Sequence, residues 1–124
     1  MPIYTNSLVS NAPFLFISGQ TPEENENIPD SAKEQTYVVL KKISSVIAEN
    51  DLDLSNLVKM NVYITDSSYL ADVRAAFTEI LGEIKPTMTL VVVSELINSQ
   101  FKVEIDVFCT LGTEHIFHES RLTN

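Results

Sequence analysis

Pro86-Thr87-Met88-Thr89-Leu90-Val91-Val92-Val93 and, after Ser94 to Gln100, Phe101-Lys102-Val103-Glu104-Ile105-Asp106-Val107-Phe108-Cys109-Thr110 form the stretch that decides the fold. The first run is β-rich and apolar on both of its faces, as in a strand covered from both sides. The second alternates. Val103, Ile105, Val107 and Cys109 point one way, and Lys102, Glu104, Asp106 and Phe108 the other. An apolar strand followed by one carrying two acids predicts a covered sheet with a few chosen polar groups on its second face.

Upstream, the periodicity changes from two to that of a helix. Leu57 to Thr65 alternates Val58, Met60, Val62 and Ile64 against Lys59, Asn61, Tyr63 and Thr65, a third strand. Asp66 and the serines behind it can cap a helix striped by Leu70, Val73, Phe77, Ile80 and Leu81. Gly82 occupies the place of a left-handed C-terminal residue, and Pro86 prevents continuation. Further back, Ser31-Ala32-Lys33-Glu34 has capping-box spacing, followed by Thr36, Val39, Leu40, Ile43, Val46 and Ile47 at helical intervals up to Asn50-Asp51. Ile3 to Ser10 and Phe14 to Gly19 read as two short strands around a turn at Asn11-Ala12-Pro13. The acidic stretch from Gln20 to Pro29 is a loop.

The order is β-β-α-β-α-β-β, an α+β sandwich in one domain over residues 1–112, with a mostly polar tail over 113–124. Strand-helix-strand units put both helices on one face of the sheet. The opposite face, expected to carry Leu90 and Val92, is too apolar to stay wet, and self-association is the natural remedy.

At 124 residues the chain can bury a core without metal or disulfide staples. Its apolar runs fall far short of the ~20 residues of a membrane span, and no basic-then-apolar signal pattern opens it. One cysteine, Cys109, permits no internal disulfide, so the expected compartment is the cytoplasm. A net charge of −9 argues against nucleic acid as a partner and fits a protein that handles small molecules.

No GxGxxG, P-loop, HExxH or paired CxxC is present, and nothing in the sequence asks for a cofactor. His115 and His118 have a spacing that a helix could use for metal, but no third ligand lies nearby, so no metal site is expected. Cys109 ends an apolar strand face and reads as a core thiol rather than a nucleophile. On a wet face Glu104 and Asp106 are simply solvated. If subunit contact covers that face, each needs a partner.

Taken together, Ile17-Ser18-Gly19-Gln20, Gln35 with Leu40, Val58-Lys59-Met60-Asn61-Val62-Tyr63-Ile64-Thr65-Asp66, Val73 with Phe77, Pro86 and Val103-Glu104-Ile105 resemble the RidA/YjgF family, also called endoribonuclease L-PSP. The match runs from Tyr4 to Gly112 and rests on order and spacing. The resemblance implies a homotrimer of chorismate-mutase-like subunits, their sheets forming a central barrel, with a small carboxylate or imine metabolite held in each intersubunit cleft. It implies hydrolysis of intermediates such as 2-iminobutanoate and 2-iminopropanoate to 2-keto acids and ammonia.

By the same resemblance Glu104 matches the glutamate that positions or activates water, Tyr4 the pocket tyrosine and Ser18 the pocket serine. The substrate-clamping arginine is not matched: Pro-x-Arg-Ser/Thr reads here Pro86-Thr87-Met88-Thr89. Leu90 replaces a frequent cysteine, and Arg74 the usual asparagine of the second helix. A charge-assisted hydrogen bond of the missing kind is worth ~1.5–3 kcal/mol, and methionine offers neither charge nor donor. Arg74 is a candidate for a replacement cation from the helix side, but an arginine beside Leu70 and Phe77 on the helix surface is read first as exposed, so loss or alteration of the activity is expected over rescue. The expected outcome is an imine deaminase that is weakened or altered. The alternative is a metabolite-binding trimer without turnover. An RNA-cleaving or translation-inhibiting role is opposed by the charge.

Overall fold

The computed structural model describes residues 3–5, 7–10, 13–112 and 115–118, with the backbone alone at 8–10 and 115–118. Its elements run β1 (Ser7–Ser10), β2 (Phe14–Gln20), α1 (Ala32–Glu49), β3 (Leu57–Ile64), α2 (Leu70–Leu81), β4 (Thr87–Val92), β5 (Val103–Thr110) and β6 (His115–His118). Short 3₁₀ turns at Leu54–Asn56 and Ser67–Tyr69 lead into β3 and α2.

The main sheet has the order β2-β5-β3-β4. The last of these strands in the chain, β5, inserts between β2 and β3 and is antiparallel to both, while β3 and β4 are parallel. Both helices are crossovers between parallel strands and lie on the same side. Tyr37 of α1 donates to Glu79 Oε2 of α2 at 2.5 Å. The core between helices and sheet contains Val39, Leu40, Ile43, Ile47, Met60, Val62, Ile64, Val73, Phe77, Val103, Ile105 and Val107.

The caps follow the local chemistry. Ser31 Oγ accepts from the Glu34 amide at 3.0 Å, and Asp66 Oδ1 accepts from the Ser68 amide at 2.8 Å. Gly82 ends α2 with φ +57°, a value that favours glycine, but its ψ of −117° takes it out of the left-handed helical region proper. Of the α2 stripe, Val73, Phe77 and Leu81 are buried with Ala76, while Leu70 and Ile80 stay exposed at its margins. In α1 the buried set includes Gln35, which the apolar stripe passes over.

Three expectations change. First, β1 is shorter than Ile3 to Ser10 and is not in the main sheet: it pairs with β6, a strand inside the stretch expected to be a polar tail. His-Ile-Phe-His has the β-branched and aromatic content that a strand accepts. The turn residues Asn11 and Ala12 lie outside the described residues. Second, β4 and β5 are not neighbours, because β3 separates them. Third, Leu90 and Val92 are in register with the buried Val62 and Ile64, so they belong to the helix-side face. The uncovered face instead presents Phe14, Phe16, Phe108 and Val91. A fully apolar strand has no alternation from which its faces can be told apart; only the neighbouring strand orients it.

No helix among the described residues is long and apolar enough to cross a membrane.

Candidate functional site

The candidate residues divide between the two faces of the sheet. On the uncovered face, Glu104 and Asp106 of β5 stand beside Tyr63 and Asn61 of β3, their register partners. Asn61 Nδ2 donates to Asp106 Oδ1 at 2.8 Å, and the Tyr63 hydroxyl donates to Asp106 Oδ2 at 3.0 Å. Both oxygens of Asp106 are therefore engaged by neutral donors. The hydrogen bond to Asp106, burial, and the charges of Asp106 and Glu104 together push the Tyr63 phenol above its ordinary 10.0, so it stays protonated as the donor.

Glu104 differs from its neighbour two residues on. Among the described residues its carboxylate has no hydrogen-bond or ion-pair partner, and it is half-buried. Two acids on one strand face thus have different duties: Asp106 ties strands together, and Glu104 keeps its acceptors available for a ligand or water. Alternation alone cannot separate them. Asn61 and Tyr63, which the sequence places only on a polar strand face, prove to be the partners that make the distinction.

The β2 edge bends to meet Glu104. Ile17 pairs with Val107 and Gln20 with Ile105, so two residues, Ser18 and Gly19, stand opposite the single Asp106. This bulge breaks the strict alternation and brings both residues to the acidic part of the face. Beyond it, Phe16 packs edge-to-face on Phe108 with centroids 4.9 Å apart, and Phe14 lies 6.2 Å from Phe16. Phe16 remains 66% exposed.

Tyr4, Arg74 and Met88 lie elsewhere. With Ile3, Leu70 and Leu90 they line a cavity of about 200 Å³ between α2, β4 and the N-terminal segment. The Thr5 amide donates to the Pro86 carbonyl at 2.9 Å, which fastens that segment beside the start of β4. Met88 is the register partner of the fully buried Met60 and packs against the core. The cavity is largely apolar, and its lining residues include one guanidinium, Arg74, and one phenol, Tyr4. The structure thus sets the bulge of Ser18 and Gly19 beside the strand that carries Glu104, with Gly19 against its carboxylate, and separately brings together Tyr4, Arg74 and Met88. Met88 and Glu104, sixteen positions apart on consecutive strands, are expected from the sequence to approach across the strand pair or across a subunit boundary. The first does not occur, since they face opposite sides of the sheet with β3 between their strands.

Cys109 is fully buried, and burial pushes its thiol up to about 11, as befits a core residue. The described residues contain no group of three or more His, Cys, Asp or Glu able to hold a metal. Residues 115–118 are a strand, so the helical spacing that a His115–His118 metal pair would require is absent.

Comparison with known proteins agrees with this architecture. The family model for endoribonuclease L-PSP matches residues 3–111. A RutC family protein of Pyrococcus abyssi is 35% identical over 86 residues, covering 67% of this chain and 68% of that protein. The crystal structure of RidA from the Antarctic bacterium Psychrobacter superposes with a TM-score of 0.76 at 27% identity, covering 85% of this chain and 86% of the other. Escherichia coli TdcF, solved with bound serine, superposes at 0.76 with 22% identity, over 90% of this chain and 97% of that one, a likeness of fold. The chain belongs to the endoribonuclease L-PSP family, the RidA/YjgF group.

Proposed function

We propose that this chain forms a homotrimer with a small carboxylate or imine metabolite held in each cleft between subunits, and that its imine deaminase chemistry is altered by Met88. The observation that carries this reading is the division of the site. Glu104, with the bulge of Ser18 and Gly19 beside it, marks one face of the sheet, and the cavity of Tyr4, Arg74 and Met88 lies on the other. A single ligand reaches both only if a second subunit supplies one of the two halves. The exposed aromatic row Phe14, Phe16 and Phe108 supports self-association through the uncovered face. A fold relative solved with serine supports a ligand of amino-acid size and charge.

In the reaction, water adds to the C=N bond of a 2-imino acid, the tetrahedral adduct expels ammonia, and a 2-keto acid remains. Glu104 holds the water through its unengaged carboxylate oxygens, takes up one of its protons as the C–O bond forms and passes it to the nitrogen. The proton left on the new hydroxyl follows by the same route as the C–N bond breaks, so nitrogen departs as ammonia and Glu104 is again a carboxylate. Ser18 and Tyr4 offer hydroxyls to the ligand. Met88 cannot clamp a carboxylate, which leaves Arg74 as the cation of the cavity, approaching from the helix side.

The second reading, a trimer that binds a metabolite without turnover, is favoured by Met88 alone. One assay separates the two. An amino-acid oxidase generates 2-iminobutanoate, and semicarbazide traps what has not hydrolysed. A lowered trapped fraction, abolished by Glu104→Ala, supports the deaminase. An unchanged fraction supports the binding trimer. A sedimentation mass near one 13.9 kDa chain would sink both.

A further inference from the structure

We infer that Gly19 is a positioning residue for Glu104: the missing side chain at 19 is the space in which the Glu104 carboxylate rests. A methyl group built on Gly19 would stand 2.3 Å from Glu104 Oε2, 3.1 Å from Cδ and 3.4 Å from Cγ. The first distance is far inside van der Waals contact, so no other residue at 19 is compatible with this placement of the carboxylate. The collision is with the free end of a flexible side chain and not with backbone. A side chain at 19 is therefore accommodated by moving Glu104, with the strands left in place.

The bulge explains why position 19 matters. In regular alternation, Ile17 faces the core and residue 19 would face it too. The extra residue opposite Asp106 turns Gly19 toward the uncovered face, directly under Glu104. On the other side Glu104 is bounded by its register partner Tyr63, whose hydroxyl is committed to Asp106. Glu104 is thus confined between a strand edge that lacks a side chain and a tyrosine held in place. A carboxylate without hydrogen-bond partners of its own gets its position from shape.

This inference deepens the proposed deaminase reading by naming what sets the geometry of Glu104, and its test has a readout independent of turnover. Protein labelled with ¹³C at glutamate side-chain carboxyls is compared as wild type and Gly19→Ala, with the Glu104 resonance assigned by its loss in Glu104→Ala. The Glu104 signal is expected to move in Gly19→Ala while the other glutamate signals hold, with the melting temperature within about 4 °C of wild type. If wild type accelerates 2-iminobutanoate hydrolysis, Gly19→Ala lowers kcat about 100-fold, the scale of an ångström-sized misplacement. In a Glu104→Ala background the same change has no further effect.

An unmoved Glu104 resonance overturns the inference, as does a Gly19→Ala loss that persists undiminished in the Glu104→Ala background. Should Gly19→Ala fail to fold, the double variant decides: folding restored by Glu104→Ala supports the contact, and folding not restored overturns it. A wild type that hydrolyses no imine removes the deaminase reading but leaves the carboxyl signal to decide this one.

Discussion

Met88 and Glu104 face away from each other across one sheet: Met88 stands beside the buried Met60, and Glu104 beside Tyr63 on the uncovered side. In the proposed trimer, a ligand that meets both lies where two subunits join. On that reading, methionine at position 88 changes one wall of the cleft and leaves the Glu104 half as it is.

That separation makes Met88→Arg a clean gain-of-function test. A guanidinium at 88 shares the cavity with Tyr4 and Arg74 and can bind a carboxylate through a charge-assisted hydrogen bond. Calorimetric affinity for 2-ketobutanoate should rise roughly 10- to 150-fold, equivalent to ~1.5–3 kcal/mol. Arg74→Ala in the wild-type background should lower it. If neither variant changes the affinity, this cavity is not where the carboxylate binds.

Asp106 is expected to matter for stability rather than chemistry. Asp106→Ala leaves the Asn61 amide and the Tyr63 hydroxyl without their acceptor and should cost about 2 kcal/mol. Tyr63→Phe removes one of those bonds and should cost about 1 kcal/mol. Urea unfolding of both single variants and the double should give a total clearly smaller than the sum, because the two changes share a bond. Additive losses would mean that the network is not a unit.

Gln35 is a buried polar group with every bond accounted for. Its Nε2 donates to the carbonyls of Pro29 at 2.8 Å and Gln100 at 2.9 Å, and its Oε1 accepts from the Lys102 amide at 2.7 Å. It thereby ties α1 to the loop before it and to the entry of β5, the strand that carries Glu104. Gln35→Leu leaves two carbonyls and an amide unpaired and should cost about 3 kcal/mol or more by urea denaturation. Gln35→Glu keeps the size but puts a carboxylate oxygen against the two carbonyls, and should be nearly as damaging. A mild effect of both would deny Gln35 this role.

The buried thiol predicts an alkaline limb in the stability profile. Folded, Cys109 keeps its proton up to about 11; unfolded, it releases it near 9.0. The group whose value is raised in the folded state contributes fully below pH 9.0, and its contribution is lost as pH rises toward about 11. The raised Tyr63 phenol adds a loss in the same direction above its ordinary 10.0. Thermal unfolding between pH 7 and 11 should show the decline, and Cys109→Ala, though less stable overall, should flatten its first part. An equal slope in that variant would exclude the thiol as the cause.

Much of this protein was legible in its residues. Period-two and helical spacing place the elements, because burial on one face of a strand or helix writes a local pattern of apolar side chains. Val103, Ile105 and Val107 are the buried face of β5 for that reason, and Ser31 caps α1 where the sequence puts it, whereas Asp66 caps the 3₁₀ turn ahead of α2 and not α2 itself, whose N-cap is Tyr69. The family resemblance also singled out Glu104 and Met88, the residues on which the proposed site rests. What lay beyond the sequence is which strands are neighbours, since pairing is a long-range choice that no local spacing encodes. The insertion of β5 between β2 and β3 separates Met88 from Glu104, supplies Asp106 with Asn61 and Tyr63, and puts a bulged Gly19 under Glu104. Alternation could identify two acids on one face of β5; only the packing of β2 and β3 against that strand decided which is held and which remains available.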